Sequence, residues 1–279
     1  VIVWLHGGGY FQGSASQYPT SGAGLARRGA VVVSPNFRLG ALGFLAHPAL
    51  SREAAASGVA ASGNYGYADQ LAALAWVQAN IALFGGDPGN VTVMGQSTGA
   101  ATAAALATSP QARGLVHKLI LMSGGVPQTL RRRDQPQGEW NSLEALGTRF
   151  AGELGAPADV SAAALRSVPW QAIEAAWRRT LADFHGDGTW FHLGLDGRWL
   201  TEQPGEVFRA GRQAALPLLA GVTADEGSWF ARRARLNERA AFDAYVAEVH
   251  GRAAVKPLRQ RYAARAQTRA DWLAASSRL

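Results

Sequence analysis

The sequence predicts an α/β fold built on a mostly parallel sheet with helices on both faces. Three observations carry the prediction. Short apolar runs recur along the chain, and they are continuous rather than alternating, as strands covered on both faces require. Stretches of helical period separate them, the arrangement that joins parallel neighbours. Glycine-rich turns close several of the runs. At 279 residues and 48% hydrophobic content, the chain is long enough to enclose one large core, and it reads as a single domain over residues 1–279.

The first run, Val1 to Leu5, ends in His6-Gly7-Gly8-Gly9. The second, Ala30 to Ser34, stops at Pro35, and the third, Val91 to Met94, leads into Gly95-Gln96-Ser97-Thr98-Gly99. The fourth is Leu119 to Met122, and the fifth is Leu216 to Val222, interrupted by Pro217. Between them, Leu74, Val77, Ile81 and Phe84 fall at helical spacing within residues 69–84, and Gly85-Gly86-Asp87-Pro88 ends that helix. The alanine-rich stretch from Ser97 to Ala107 predicts another. Residues of about 124–190 are richer in Arg and Trp, with short helical pieces at Ser142–Leu154 and Pro169–Arg179, and read as a lid-like excursion from the sheet. The stretch from Asn237 onward reads as helical.

Composition narrows the function classes. There are no cysteines, so disulfides, zinc–thiolate centres and a cysteine nucleophile are excluded for this chain. The net charge of +7 comes almost wholly from arginine, Lys118 and Lys256 being the only lysines. These charges are scattered and not interleaved with aromatics, which fits a solvated basic surface and not a nucleic-acid site. No apolar run is long enough to span a bilayer. The sequence leaves compartment and oligomeric state unassigned.

Three pieces carry chemistry. Gly95-x-Ser97-x-Gly99 lies between an apolar strand and a small-residue helix, the setting of a nucleophile elbow. Glycines there allow a sharp turn, and the serine then sits at a helix N-terminus, where free N–H groups favour negative charge. The bare motif is common, and a simple tight turn is the competing reading. The second piece, His6-Gly7-Gly8-Gly9, can aim backbone N–H groups at an oxyanion, together with the N–H of Thr98. The third, Asp225-Glu226-Gly227, follows the fifth run, where an acid that orients a histidine belongs. A capping carboxylate explains it equally well.

The residues resemble the type-B carboxylesterases, the cholinesterase-like family of the α/β-hydrolase superfamily. The resemblance rests on Val3-Trp-Leu-His-Gly-Gly-Gly-Tyr10, Asn36-Phe-Arg-Leu-Gly-Ala-Leu-Gly-Phe44, Gly63-Asn-Tyr-Gly-Tyr-Ala-Asp-Gln70, Trp76-Val-Gln-Ala-Asn-Ile81, Phe84-Gly-Gly-Asp-Pro88, Val91-Thr-Val-Met-Gly-Gln-Ser97 and Gly221-Val-Thr-Ala-Asp-Glu-Gly227. It implies an α/β-hydrolase sheet, incomplete at both ends of this chain. It also implies that Ser97 is the nucleophile, Glu226 the triad acid, and Gly8, Gly9 and Thr98 the oxyanion-hole donors. Arg38 and Asp69 are implied to form a buried ion pair near the site. Gln96 and Thr98 depart from the Glu and Ala usual in the family.

The resemblance further implies a serine carboxylesterase that needs no metal or cofactor and takes small uncharged esters of short to medium length. Of the six histidines, only His250 follows Glu226, and it ends a predicted helix. The family places its catalytic histidine further along, so the chain reads as a fragment lacking that residue. The alternative is a non-catalytic binding or adhesion relative, or an inactive remnant. Retention of Ser97, Glu226 and the glycine loop argues against the binding or adhesion relative and leaves the remnant open.

Overall fold

A computed structural model describes residues 1–17, 22–127, 129–138, 140–180, 191–233 and 235–277. The chain forms two compact units: Val1–Leu181 with Thr189–Gly221, and Ala182–Gly188 with Val222–Leu279.

The first unit holds the sheet. Its strands are β1 (Ile2–Leu5), β2 (Val32–Val33), β3 (Thr92–Gln96), β4 (Lys118–Met122) and β5 (Leu218–Gly221). All neighbours are parallel, in the order β2-β1-β3-β4-β5. All five predicted strands are present; β1, β2 and β5 are shorter than the apolar runs, β4 starts one residue earlier, and β3 runs on to Gln96. The fifth starts at Leu218 because Pro217 has no N–H to give; its carbonyl instead accepts the Leu119 N–H at 2.9 Å. Val3, Trp4 and Leu5 are consecutive and all buried, so both faces of β1 are covered.

The predicted helix over residues 69–84 runs from Tyr65 to Asn80, followed by a 3₁₀ turn at Ile81–Phe84. Gly85 stops it at φ 77°, where a side chain is disfavoured. Tyr67, Leu74 and Val77 are wholly buried in the core it shares with the sheet. The helix after Ser97 spans Thr98–Leu106. Ala100, Ala103, Ala104 and Ala105 have no exposure at all, which explains why this segment is built from small residues: it lies within the core rather than on it.

In the excursion, helices occupy Leu143–Glu153, Ala162–Ser167 and Trp170–Thr180. Ser142 and Ser161 cap the first two by accepting the N–H of Ala145 and Ala164, both at 3.1 Å. Residues 181–190 of the excursion lie outside the described residues.

The order β2-β1-β3 has a consequence for function. The chain leaves β1 toward one side to build β2, then returns to the other side to build β3. Loops leaving the carboxyl ends of β1 and β3 therefore diverge and leave a crevice, the usual ligand site of an open α/β sheet. Those two loops are the glycine run and the segment around Ser97.

The second unit is helical, at Gly227–Arg233, Arg239–His250, Val255–Tyr262 and Arg269–Ser276. Phe242 and Val246 are wholly buried in its own small core, with Ala263 and Ala275. Thr268 and Asp271 form a reciprocal capping box at the last helix.

Candidate active site

β3 runs straight into the helix Thr98–Leu106, with Ser97 at the joint. Ser97 has φ 55° and ψ −122°, a conformation that a non-glycine residue holds only when its surroundings force it. The forcing contacts are identifiable. The Ser97 N–H donates to the Met122 carbonyl of β4 at 2.9 Å, so the sheet holds the turn from one side. On the other, Gly99 packs so closely on the end of β1 that a Cβ there would lie 2.1 Å from the Leu5 carbonyl oxygen. A Cβ on Gly95 would lie 2.3 Å from the Gly99 carbonyl carbon. Both glycines are thus fixed by close backbone approach.

The loop after β1 is equally constrained. Gly8 (φ 113°), Gly9 (φ 68°) and Tyr10 (φ 64°) are three successive residues of positive φ. Such a run bends the chain sharply where it leaves β1. Tyr10 is buried and its carbonyl accepts the Gly40 N–H at 2.7 Å, which anchors the loop. The Gly8 carbonyl accepts the N–H of Phe11 and Gln12. The loop meets the elbow directly: the Gly9 N–H donates to Thr98 Oγ1 at 3.1 Å. A Cβ on Gly7 would come within 2.6 Å of Gln96 Oε1 and 3.1 Å of Ser97 Cβ.

Sequence reasoning missed one further contributor. Ser123-Gly124 follows β4, and a Cβ on Gly124 would sit 2.3 Å from the Ser97 carbonyl oxygen. The signal was the glycine pair Gly124-Gly125 just after the fourth apolar run.

Comparisons with known proteins assign the chain to a family. Residues 1–274 match the carboxylesterase family. The chain belongs to the carboxylesterase family. It is 37% identical to the fumonisin B1 esterase of Sphingopyxis macrogoltabida, over 90% of this chain and 44% of that protein. It is 38% identical to the para-nitrobenzyl esterase of Bacillus subtilis (strain 168), over 82% of this chain and 44% of that one. A solved structure of the Geobacillus stearothermophilus carboxylesterase EST55 at pH 6.2 superimposes with a TM-score of 0.80 at 31% identity, covering 99% of this chain and 56% of that one. The chain thus spans about half the length of the curated relatives it matches.

In this carboxylesterase chain the acidic pair of the sequence analysis lies in the second unit. Glu226 Oε1 accepts the Thr223 N–H at 2.6 Å, and Asp225 Oδ1 accepts the Ser228 N–H at 3.3 Å, at the start of the helix Gly227–Arg233. Asp225 thus has the capping role.

The histidines described in the first unit each have a hydrogen-bond partner other than Ser97. His6 is buried and stacks on Phe37 with ring centroids 4.3 Å apart, its Nδ1 2.8 Å from the Gly7 carbonyl oxygen. Burial holds its pKa below the usual histidine range, against the opposing pull of that carbonyl. His47 caps the helix Pro48–Ala55, His117 Nδ1 accepts the Val91 N–H at 3.2 Å, and His192 Nδ1 meets the Leu193 carbonyl. His185 lies outside the described residues, and His250 ends its helix in the second unit.

Arg38 and Asp69 form the ion pair that the sequence implied, with a difference. Asp69 takes the Arg38 backbone N–H at 2.9 Å, its Nε at 2.8 Å and its Nη2 at 2.7 Å. Yet the Arg38 side chain is 52% exposed, against 26% for Asp69, so the pair is not buried. Its role is to tie the segment after β2 to the helix Tyr65–Asn80. Asp69→Ala removes the acceptor of the Arg38 backbone N–H and leaves the guanidinium with the Tyr65 carbonyl at 3.4 Å. The expected loss is about 1–2 kcal/mol, kept small by the exposure of Arg38. A melting temperature lowered by several degrees, with ester specificity unchanged, is the outcome to check by thermal denaturation.

The excursion walls a cavity of about 430 Å³ with Phe150, Leu165, Trp170 and Ile173, opposite Leu42 and Tyr65. Ser97 and the glycine loop are not part of its lining. Among the described residues, no helix is long and apolar enough to cross a membrane. Nor could any group of three or more His, Asp or Glu side chains among them hold a metal ion.

Proposed function

We propose that this chain carries the acyl-transfer half of a carboxylic-ester hydrolase that works through a serine acyl-enzyme. The observation that carries the reading is Ser97 held at φ 55° between β3 and its helix, with the glycine loop of the adjacent strand hydrogen-bonded to the very next residue. Attack of Ser97 Oγ on an ester carbonyl forms the new C–O bond and moves the carbonyl π electrons onto oxygen. The N–H groups of Gly8, Gly9 and Thr98 stabilise that oxyanion, and the positive end of the helix Thr98–Leu106 adds to them. Collapse expels the alcohol, and water then releases the acid.

A base must take the serine proton. In this reading Glu226 is the acid that orients it, and among the described residues His6, His47, His117 and His192 each bond other groups. The substrates are uncharged esters of short to medium length, a reading supported by family membership and by the esterases among the relatives. Gln96, next to the serine, is neutral where a carboxylate would favour cations.

The test is chemical labelling of the full natural chain that contains this sequence. A serine-directed phosphonate reagent should add to Ser97 and to no other serine, read by peptide mass spectrometry. Modification elsewhere with Ser97 unmodified would sink the assignment.

A further inference from the structure

The oxyanion site of this chain is already occupied by the protein itself. An oxyanion should sit on the line of the Gly9 N–H, roughly 2.7–3.1 Å from the nitrogen. Thr98 Oγ1 sits there, 3.1 Å away, accepting that N–H. The reason is local. A threonine inside a helix turns its hydroxyl back to the carbonyl of the preceding turn. Thr102 does so, bonding the Thr98 carbonyl at 2.9 Å. Thr98 is the first residue of its helix and has no such carbonyl, so its hydroxyl finds the nearest polar group across the crevice. The loop supporting Gly9 is anchored through Tyr10, whose hydroxyl lies 3.5 Å from Thr102 Oγ1.

We infer that the Thr98 side chain plugs the oxyanion hole of the free protein, and that its hydroxyl must release the Gly9 N–H before the tetrahedral intermediate can use it. This deepens the acyl-transfer reading and rests on it. Thr98 thereby becomes a positioning residue through its side chain, distinct from its backbone N–H. The plug acts on the transition state more than on the bound ester, because a ground-state carbonyl draws on the hole less than an oxyanion does.

The substitutions Thr98→Ala and Thr98→Ser separate hydroxyl from bulk. Alanine removes the plug; serine keeps the hydroxyl and loses only the methyl. In the full natural chain, Thr98→Ala should raise kcat on a simple aryl ester about 2- to 10-fold, the factor that one net hydrogen bond represents, with KM nearly unchanged. Thr98→Ser, which keeps the hydroxyl, should gain clearly less than Thr98→Ala. In the unliganded protein, the Gly9 amide should be protected from hydrogen exchange in the parent and in Thr98→Ser, and should exchange faster in Thr98→Ala.

Equal gains from serine and alanine would show that the methyl crowds the site, and would overturn the inference. So would a loss of kcat in Thr98→Ala rescued by serine, which would make the hydroxyl a donor. A Gly9 amide that exchanges alike in all three would show that the hydrogen bond does not exist. Failure of the phosphonate to modify Ser97 in the parent and both variants is a different result: it rejects acyl transfer at this site, and the plug with it.

Discussion

Ser97→Ala is expected to lower ester turnover by a factor on the order of 10⁴ or more, leaving only what binding and the oxyanion donors supply without a nucleophile. The fold should survive, because the constraints on this position are backbone ones. The N–H of residue 97 still reaches the Met122 carbonyl, and its own carbonyl still accepts from Ala101 at 3.0 Å. Alanine keeps the Cβ and hence the cost of φ 55°. Ser97→Gly removes that cost and should be more stable than Ser97→Ala, by up to about 1 kcal/mol, while equally inactive. Turnover in Ser97→Ala within tenfold of the parent, measured on protein with a native circular-dichroism melt, would remove Ser97 from the mechanism.

The largest stability effect is expected at Gly99. A Cβ there would stand 2.1 Å from the Leu5 carbonyl oxygen and 2.8 Å from that of His6. Neither atom is the end of a flexible side chain, so the helix must move off β1 or the strand end must bend. Gly99→Ala should cost roughly 3 kcal/mol or more. It should also weaken Ser97 labelling, since any shift of the helix off β1 moves Ser97 and the Thr98 N–H out of line with the glycine loop. The control is Gly152, in the helix Leu143–Glu153, where an added Cβ meets nothing within 4 Å. Gly152→Ala should be neutral or stabilising by about 0.5–1 kcal/mol. Urea midpoints for the two variants decide the matter. Equal midpoints would mean that the close approach at Gly99 relaxes without cost.

These two positions also show where sequence reading succeeds and where it stops. Strands buried on both faces announce themselves as apolar runs, so all five were legible, and Ser97 with them, because a strand, a glycine-spaced serine and a small-residue helix are contiguous. The start of the Tyr65–Asn80 helix was less so. Its first turn carries Gly66, whose packing against the Arg38 carbonyl is a tertiary fact and no helix signal. The exposure of Arg38 was illegible for the same reason: charge complementarity reveals a partner, not its depth. The Gly9–Thr98 hydrogen bond joins residues 89 positions apart. Nothing in either local sequence fixes the rotamer that makes it.

That separation bears on how the protein matures. The crevice exists only where β1 lies against β3, in the register that pairs Leu5 with Gly95. Closing so long a loop is entropically costly, and parallel pairing of distant segments is slow. No partly folded chain with an isolated Ser97 elbow has the opposing glycine loop in reach. Reactivity at Ser97 should therefore emerge only as the central strands lock together, which makes the serine a clock for sheet assembly during refolding.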